Sequence, residues 1–255
     1  MFDSISELSA AIAPVIQYHK IDDPSRDARV RGGFTPPRRF KRQLTFLKHR
    51  GVVFYTASEL IEHYKQHGQF PLNSVAVTLD DGWQDNYTNA FPVLKSLGIK
   101  ATIFIVPSCL GEQSTKAVAE GEGVRAHLSR AQVREMSDDG IEFGSHSMNH
   151  RLLHELPADK VLFEVEEAKR QIEDLTQKEC RTFAYPAGYY NEAAQKIIAA
   201  AGHIAAFSTI YGPTDRFDLY GLNRIEVLRR DRFIFQFARK LAPLFATRGK
   251  AGNDQ

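Results

Sequence analysis

Short apolar runs that read as buried strands alternate with segments of helical period along nearly the whole of this 255-residue chain, and that alternation constrains the fold most. The strand-like runs are Pro14 to Tyr18, Val52 to Tyr55, Val75 to Leu79, Ala101 to Val106, Ile141 to Phe143, Arg181 to Tyr185, Ile204 to Thr209 and Asn223 to Val227. Helical patterns fill the gaps and stop at glycines: Phe40 to His49 before Gly51, Asn86 to Leu97 before Gly98, Ser129 to Asp139 before Gly140, Glu192 to Ala201 before Gly202. Strand, helix and short link in regular order predict a parallel sheet. At this length the expectation is an α/β fold, a single distorted (β/α) barrel of about seven or eight parallel strands. A composition of 43% hydrophobic and 25% charged residues suits one large core. The barrel is expected over residues 14–228, with 1–13 an N-terminal extension and 229–255 a basic amphipathic C-terminal helix and tail.

A formal net charge of +2 is too mild to imply nucleic acid, and no such partner is expected. Cys109 and Cys180 have no metal-type spacing and read as free thiols. The first ten residues carry acids and no basic leader segment, and no run is long and apolar enough to cross a bilayer, which predicts a cytoplasmic protein. The segment Arg229 to Phe245 mixes phenylalanines with cations, so it either packs as a last helix or touches an anionic membrane surface. Oligomeric state is not legible.

The chemistry concentrates where strands end. Val75-Ala-Val-Thr-Leu runs into Asp80 and Asp81, then Gly82 and Trp83. Two adjacent carboxylates repel unless a cation, a donor or a proton intervenes, which marks a metal and acid–base site. After another apolar run, His146 and His150 stand four residues apart, close enough to face one point; two imidazoles and a carboxylate make a common open zinc site. His19 follows the first strand. The loop from Lys20 to Arg39, with Arg26, Arg29 and Arg31, is basic and reads as a solvated cover or as a contact for an anionic group. His63 and His67 copy the metal spacing but adjoin no acidic strand end, so they read as surface residues, and Glu164, Glu166 and Glu167 read as a solvated helix face.

These motifs resemble the polysaccharide deacetylases of the NodB-homology group, carbohydrate esterase family four, from about Val15 to Val227. Thr78-Leu-Asp80-Asp81-Gly82 is similar to the family's Thr-Phe-Asp-Asp-Gly motif, Gly144 to His150 to its His-(Ser/Thr)-x-x-His motif, and Phe183 to Gly188 to its proline-containing third motif. Ala184 stands where the family commonly has an arginine paired with the catalytic base, which leaves Arg181 as the candidate. No histidine follows His203 to serve as the family's late general acid. The branch that resembles poly-β-1,6-N-acetylglucosamine deacetylases carries that histidine on the first strand, and Val15-Ile-Gln-Tyr18-His19 is similar to it.

The resemblance implies an enzyme that removes N-acetyl groups from an N-acetylated saccharide. Asp81, His146 and His150 would hold a divalent metal, zinc first and cobalt, nickel or manganese next. Asp80 would be the base, His19 the acid, and the backbone N–H of Ala187 an oxyanion donor. Trp83, Tyr18, Tyr185, Tyr189 and Arg181 would border the sugar. Alternatives are hydrolysis of another small C–N bond on the same fold, or a glycan-binding barrel without catalysis.

Overall fold

In the computed structural model, residues 13–24, 32–114, 124–209 and 217–245 are described. The strands are β1 (Val15–Tyr18), β2 (Val53–Tyr55), β3 (Ser74–Leu79), β4 (Thr102–Ile105), β5 (Glu142–Ser145), β6 (Thr182–Ala184), β7 (Ala205–Ser208), β8 (Leu222–Asn223) and β9 (Ile225–Glu226). The helices are α1 (Pro37–His49), α2 (Ala57–His67), α3 (Phe91–Leu97), α4 (Arg130–Asp138), α5 (Ala158–Thr176), α6 (Glu192–Ala200) and α7 (Ile234–Phe245). All strand pairs are parallel, in the order β8-β7-β6-β5-β4-β3-β1-β9. Strand β2 pairs with the first half of β3 and β4 with the second half.

β8 and β9 lie on one short run interrupted at Arg224; one half pairs with β7 and the other with β1. The sheet thus curls until its ends meet at this seam, forming the distorted (β/α) barrel expected.

Strand periodicity sorts every side chain inward or outward. Val15 and Ala76 point inside with Phe104, Ala184, Phe207 and Leu222, whereas Ile16, Tyr18, Val75, Val77 and Leu79 face the helices. Each fully buried Val, Leu, Ile or Phe contributes about 1.5–3 kcal/mol. The interior is filled tightly enough that a Cβ at Gly144 would lie 2.5 Å from the Phe104 ring, so Gly144→Ala would force that ring out of place.

Local sequence sets the helix starts. Thr56 with Glu59, and Ser129 with Gln132, form reciprocal capping boxes that satisfy exposed N–H groups at the entries to α2 and α4. The expected helix Asn86 to Leu97 opens differently, with a wide π-turn over Asn86–Ala90 before α3. This turn buries Asn86 and aims its amide at the carbonyl of His19, at 3.0 Å.

Ala13, placed with the N-terminal extension, is buried in the barrel interior, while residues 1–12 lie outside the described residues. At the other end α7 buries Phe237 and Leu241 in the core, leaving Phe233 and Phe235 exposed. No described helix is long and apolar enough to cross a membrane. Cys109 and Cys180 are free thiols.

Candidate active site

The inward column of β3 ends in Thr78 and Asp80. Asp80 is fully buried, and its charge is met from the seam: Arg224 donates from Nη1 to Oδ1 at 2.7 Å and from Nη2 to Oδ2 at 2.6 Å. Gln17 Nε2, inward on β1, donates to Oδ2 at 2.8 Å. Arg224 is itself fixed by Ser208 O and Thr78 Oγ1, at 3.1 and 3.2 Å. Burial pushes the Asp80 pKa up, but Arg224, with His146 and His19, outweighs it and holds the carboxyl below its ordinary value.

The chain then turns sharply. Asp81 and Gly82 both take positive φ, 73° and 66°, and a Cβ at Gly82 would lie 2.9 Å from Ile105 Cγ2, so this corner requires glycine. The turn swings Asp81 away from the interior toward the loop after β5. Its Oδ1 lies 3.4 Å from His146 Nε2 and 3.3 Å from His150 Nε2. One ligand atom from each of the three residues falls within 4.8 Å of the others. Burial opposes the Asp81 charge, yet the contacts of both imidazoles and the nearby His19 hold its pKa well below the usual value.

Surrounding bonds prepare this trio for a cation. His146 Nδ1 donates to the Ala184 carbonyl at 2.7 Å, which fixes the ring and presents Nε2 to Asp81, where a bound cation would replace the Nε2 hydrogen. His150 adopts φ 55° and Ser147 φ 62°, conformations that the intervening segment must enforce. Glu164 of α5 supplies that clamp: its carboxylate accepts from the Asn149 backbone N–H and side-chain amide, both at 2.8 Å, and its carbonyl accepts from Met148 N–H at 2.9 Å. Glu164 is therefore buried on the apolar stripe of α5, not part of the solvated face expected. One carboxylate oxygen with two oriented imidazole nitrogens is a donor set that fits a divalent cation of zinc type.

His19 follows β1 on its inward side, and a protonated His19 lowers the pKa of both Asp80 and Asp81. Its buried Nδ1 has no hydrogen-bond partner. Ala187 lies exposed in the turn after β6, with a left-handed backbone at φ 55°.

Several expected sugar contacts are placed elsewhere. Tyr18 faces the helices, edge-on to Phe40, with its hydroxyl bonded to Gln43 Oε1 at 3.1 Å. Tyr185 is likewise outward, stacked on Tyr190 and donating to the Tyr220 carbonyl at 2.7 Å. Both precede or follow an inward residue by one, so strand period turns them away from the mouth. Arg181 enters β6 at its opposite end and pairs with Glu62 and Glu179; the arginine on Asp80 is Arg224. Trp83 is nearly buried, flat against His127 with centroids 4.3 Å apart, and is closed to a pyranose. Tyr189 stays exposed beside His154. Of the basic loop, Arg26, Arg29 and Arg31 lie outside the described residues.

Comparisons with known proteins agree with this geometry. The sequence profile described as Polysaccharide deacetylase matches residues 67–206. YxkH of Bacillus subtilis (strain 168), whose name carries the same family, is 29% identical over 215 residues, 84% of this chain and 71% of its own. Poly-beta-1,6-N-acetyl-D-glucosamine N-deacetylase of Staphylococcus aureus (strain MSSA476) is 28% identical over 181 residues, 66% of this chain; the chain spans 59% of that relative's length. The solved structure of the Streptococcus pyogenes deacetylase PplD in complex with acetate superposes with a TM-score of 0.76 at 26% identity, covering 89% of this chain and 96% of that one. With the profile covering more than half of its length, the chain belongs to the polysaccharide deacetylase family.

Proposed function

We propose that this protein is a metal-dependent hydrolase that removes N-acetyl groups from an N-acetylated saccharide, with poly-β-1,6-N-acetylglucosamine or a related glycan as the substrate class. One observation carries the reading: two adjacent carboxylates have opposite surroundings, Asp80 enclosed by Arg224 and Gln17, and Asp81 turned toward two imidazoles. Binding a sugar calls for no such division, whereas hydrolysis needs one acid to take a proton and another to hold a cation.

A divalent cation on Asp81, His146 and His150, zinc first and cobalt, nickel or manganese next, supplies Lewis-acid chemistry that acidifies water and polarises an amide carbonyl. Asp80 accepts the proton of the attacking water. Three donors occupy its oxygens, which offer roughly four lone-pair sites, so Oδ1 retains one for that proton. Arg224 and Gln17 keep the carboxylate from rotating, and Arg224 keeps it ionised at neutral pH. His19, whose charge lowers the pKa of both acids, donates a proton to the departing amine nitrogen. The Ala187 N–H donates to the developing oxyanion, and Tyr189 offers a ring face to the sugar.

Acetate release from β-1,6-linked N-acetylglucosamine oligomers tests the proposal. Zinc-loaded protein releases acetate; Asp80→Asn and His19→Ala each lower the rate by about 10²–10⁴-fold while the zinc content is kept. Undiminished release by Asp80→Asn would remove the assigned base, and no release by the loaded wild type would remove the substrate class.

A further inference from the structure

A carboxylate can meet a cation through one oxygen or through both, and the choice fixes how many positions remain for water and substrate. In this site the two oxygens of Asp81 are already divided. Oδ1 is the atom both imidazole Nε2 atoms face, at 3.4 and 3.3 Å. Oδ2 accepts the indole N–H of Trp83 at 2.9 Å. An indole nitrogen can only donate, so this contact points one way and persists whatever the charge on Asp81.

The ring is not free to withdraw. Trp83 is 6% exposed and lies 22° from parallel to His127, whose Nδ1 sits 3.1 Å from the carbonyl of Asp81. The backbones on either side are tied as well: Gln84 N–H donates to Ala126 O at 2.9 Å and Leu128 N–H to Gly82 O at 2.8 Å. Lys20 Nζ stands 4.4 Å from the ring centroid. The tryptophan, the histidine and the turn at Asp81 form one packed unit, placed on the side of the carboxylate away from His146 and His150.

We propose that Trp83 is a positioning residue that holds Asp81 to a single-oxygen contact with the cation, keeping open the positions that water and the acyl oxygen need. The inference rests on the reading that Asp81, His146 and His150 hold a divalent metal. It gives the only tryptophan of the chain a task different from sugar stacking. Without the N–H, Oδ2 is released either to chelate beside Oδ1 or to rotate the carboxylate off the cation.

The test uses the full chain and Trp83→Phe, which keeps a ring against His127 and deletes the donor. After chelator treatment each is titrated with Co²⁺ in competition with a chromophoric chelator, and the visible d–d bands are recorded. Wild type binds one Co²⁺ per chain; Trp83→Phe binds about 10–100-fold more weakly, and its bands change in intensity as the number of Asp81 oxygens on the cation changes. Equal affinity and identical bands in both proteins overturn the proposal while leaving the metal site standing. A wild type that binds no Co²⁺, or binds it equally after Asp81→Asn, overturns the metal site itself. A second measurement needs no variant: the infrared difference between loaded and unloaded wild type gives the separation of the carboxylate stretches. A wide separation supports the single-oxygen contact, and a narrow, chelate-type separation overturns it.

Discussion

Asp80 and Asp81 are neighbours in sequence, yet they end in different worlds. The first belongs to the barrel interior, where Gln17 and an Arg224 fixed by Thr78 bind it. The second belongs to the rim, where its partners are two histidines and an indole. The interior carboxylate is part of what holds the sheet shut; the rim carboxylate is held by loops that the sheet supports. One left-handed residue, Asp81 at φ 73°, separates a carboxylate bound by an arginine from one turned toward two histidines.

That difference can be broken most forcefully at the seam. Arg224→Met leaves Asp80 buried and unpaired and destabilises the protein by about 3–5 kcal/mol, read as a shift of the denaturant midpoint. Asp81→Asn in the cation-free protein changes stability far less while abolishing cation uptake. Equal losses of stability from the two substitutions would erase the distinction.

A smaller effect sharpens the rim half. Glu164→Gln keeps an acceptor for Asn149 N–H but sets an amide against the Asn149 side-chain amide. With the segment before His150 loosened, zinc affinity falls about 10-fold with little change in the melting temperature, measured by competition with a chelator. Unchanged affinity would show that the His146 to His150 segment holds itself.

An effect that is nil at neutral pH and grows only in acid separates acid sensitivity that arises outside the site. Burial, with Lys169 nearby, pushes the His203 imidazole down to about 3 from 6.5. The unfolded chain therefore takes up a proton that the folded one refuses. Its contribution to stability is full above about pH 6.5 and drains as the pH falls toward 3. His203→Leu, which suits the adjoining Phe183 ring at 5.6 Å, flattens that part of the profile in urea midpoints taken from pH 7 to 4. A wild-type profile that keeps its full slope in His203→Leu would place the acid sensitivity elsewhere.

Much of this was legible in the sequence, because strand ends carry their chemistry locally. Asp80, Asp81, His146 and His150 each follow an apolar run, and the alternation of runs and helices was enough to imply the barrel. Parity was equally available: if His19 faces inward, Tyr18 must face out, and likewise Tyr185 after Ala184. Glu164 falls three residues after Val161 and four before Ala168, on a stripe that helical period marks as buried. What no local pattern gives is the partner of Asp80. Arg224 sits in a run that reads as an ordinary strand, and only closure of the sheet brings it to β3. Nor does sequence tell which atom of Trp83 matters, since that follows from its crossing with His127.

The seam also sets an order of assembly. Arg224 is 144 residues beyond Asp80, so a growing chain exposes the acid pair long before the arginine exists. At ordinary rates of synthesis the interval is roughly 7–30 s. During it β1 and β3 can pair and the histidines can approach Asp81, but Asp80 has no cation to share its burial. The carboxylate proposed to drive hydrolysis is thus finished last, and only in a chain whose sheet has closed.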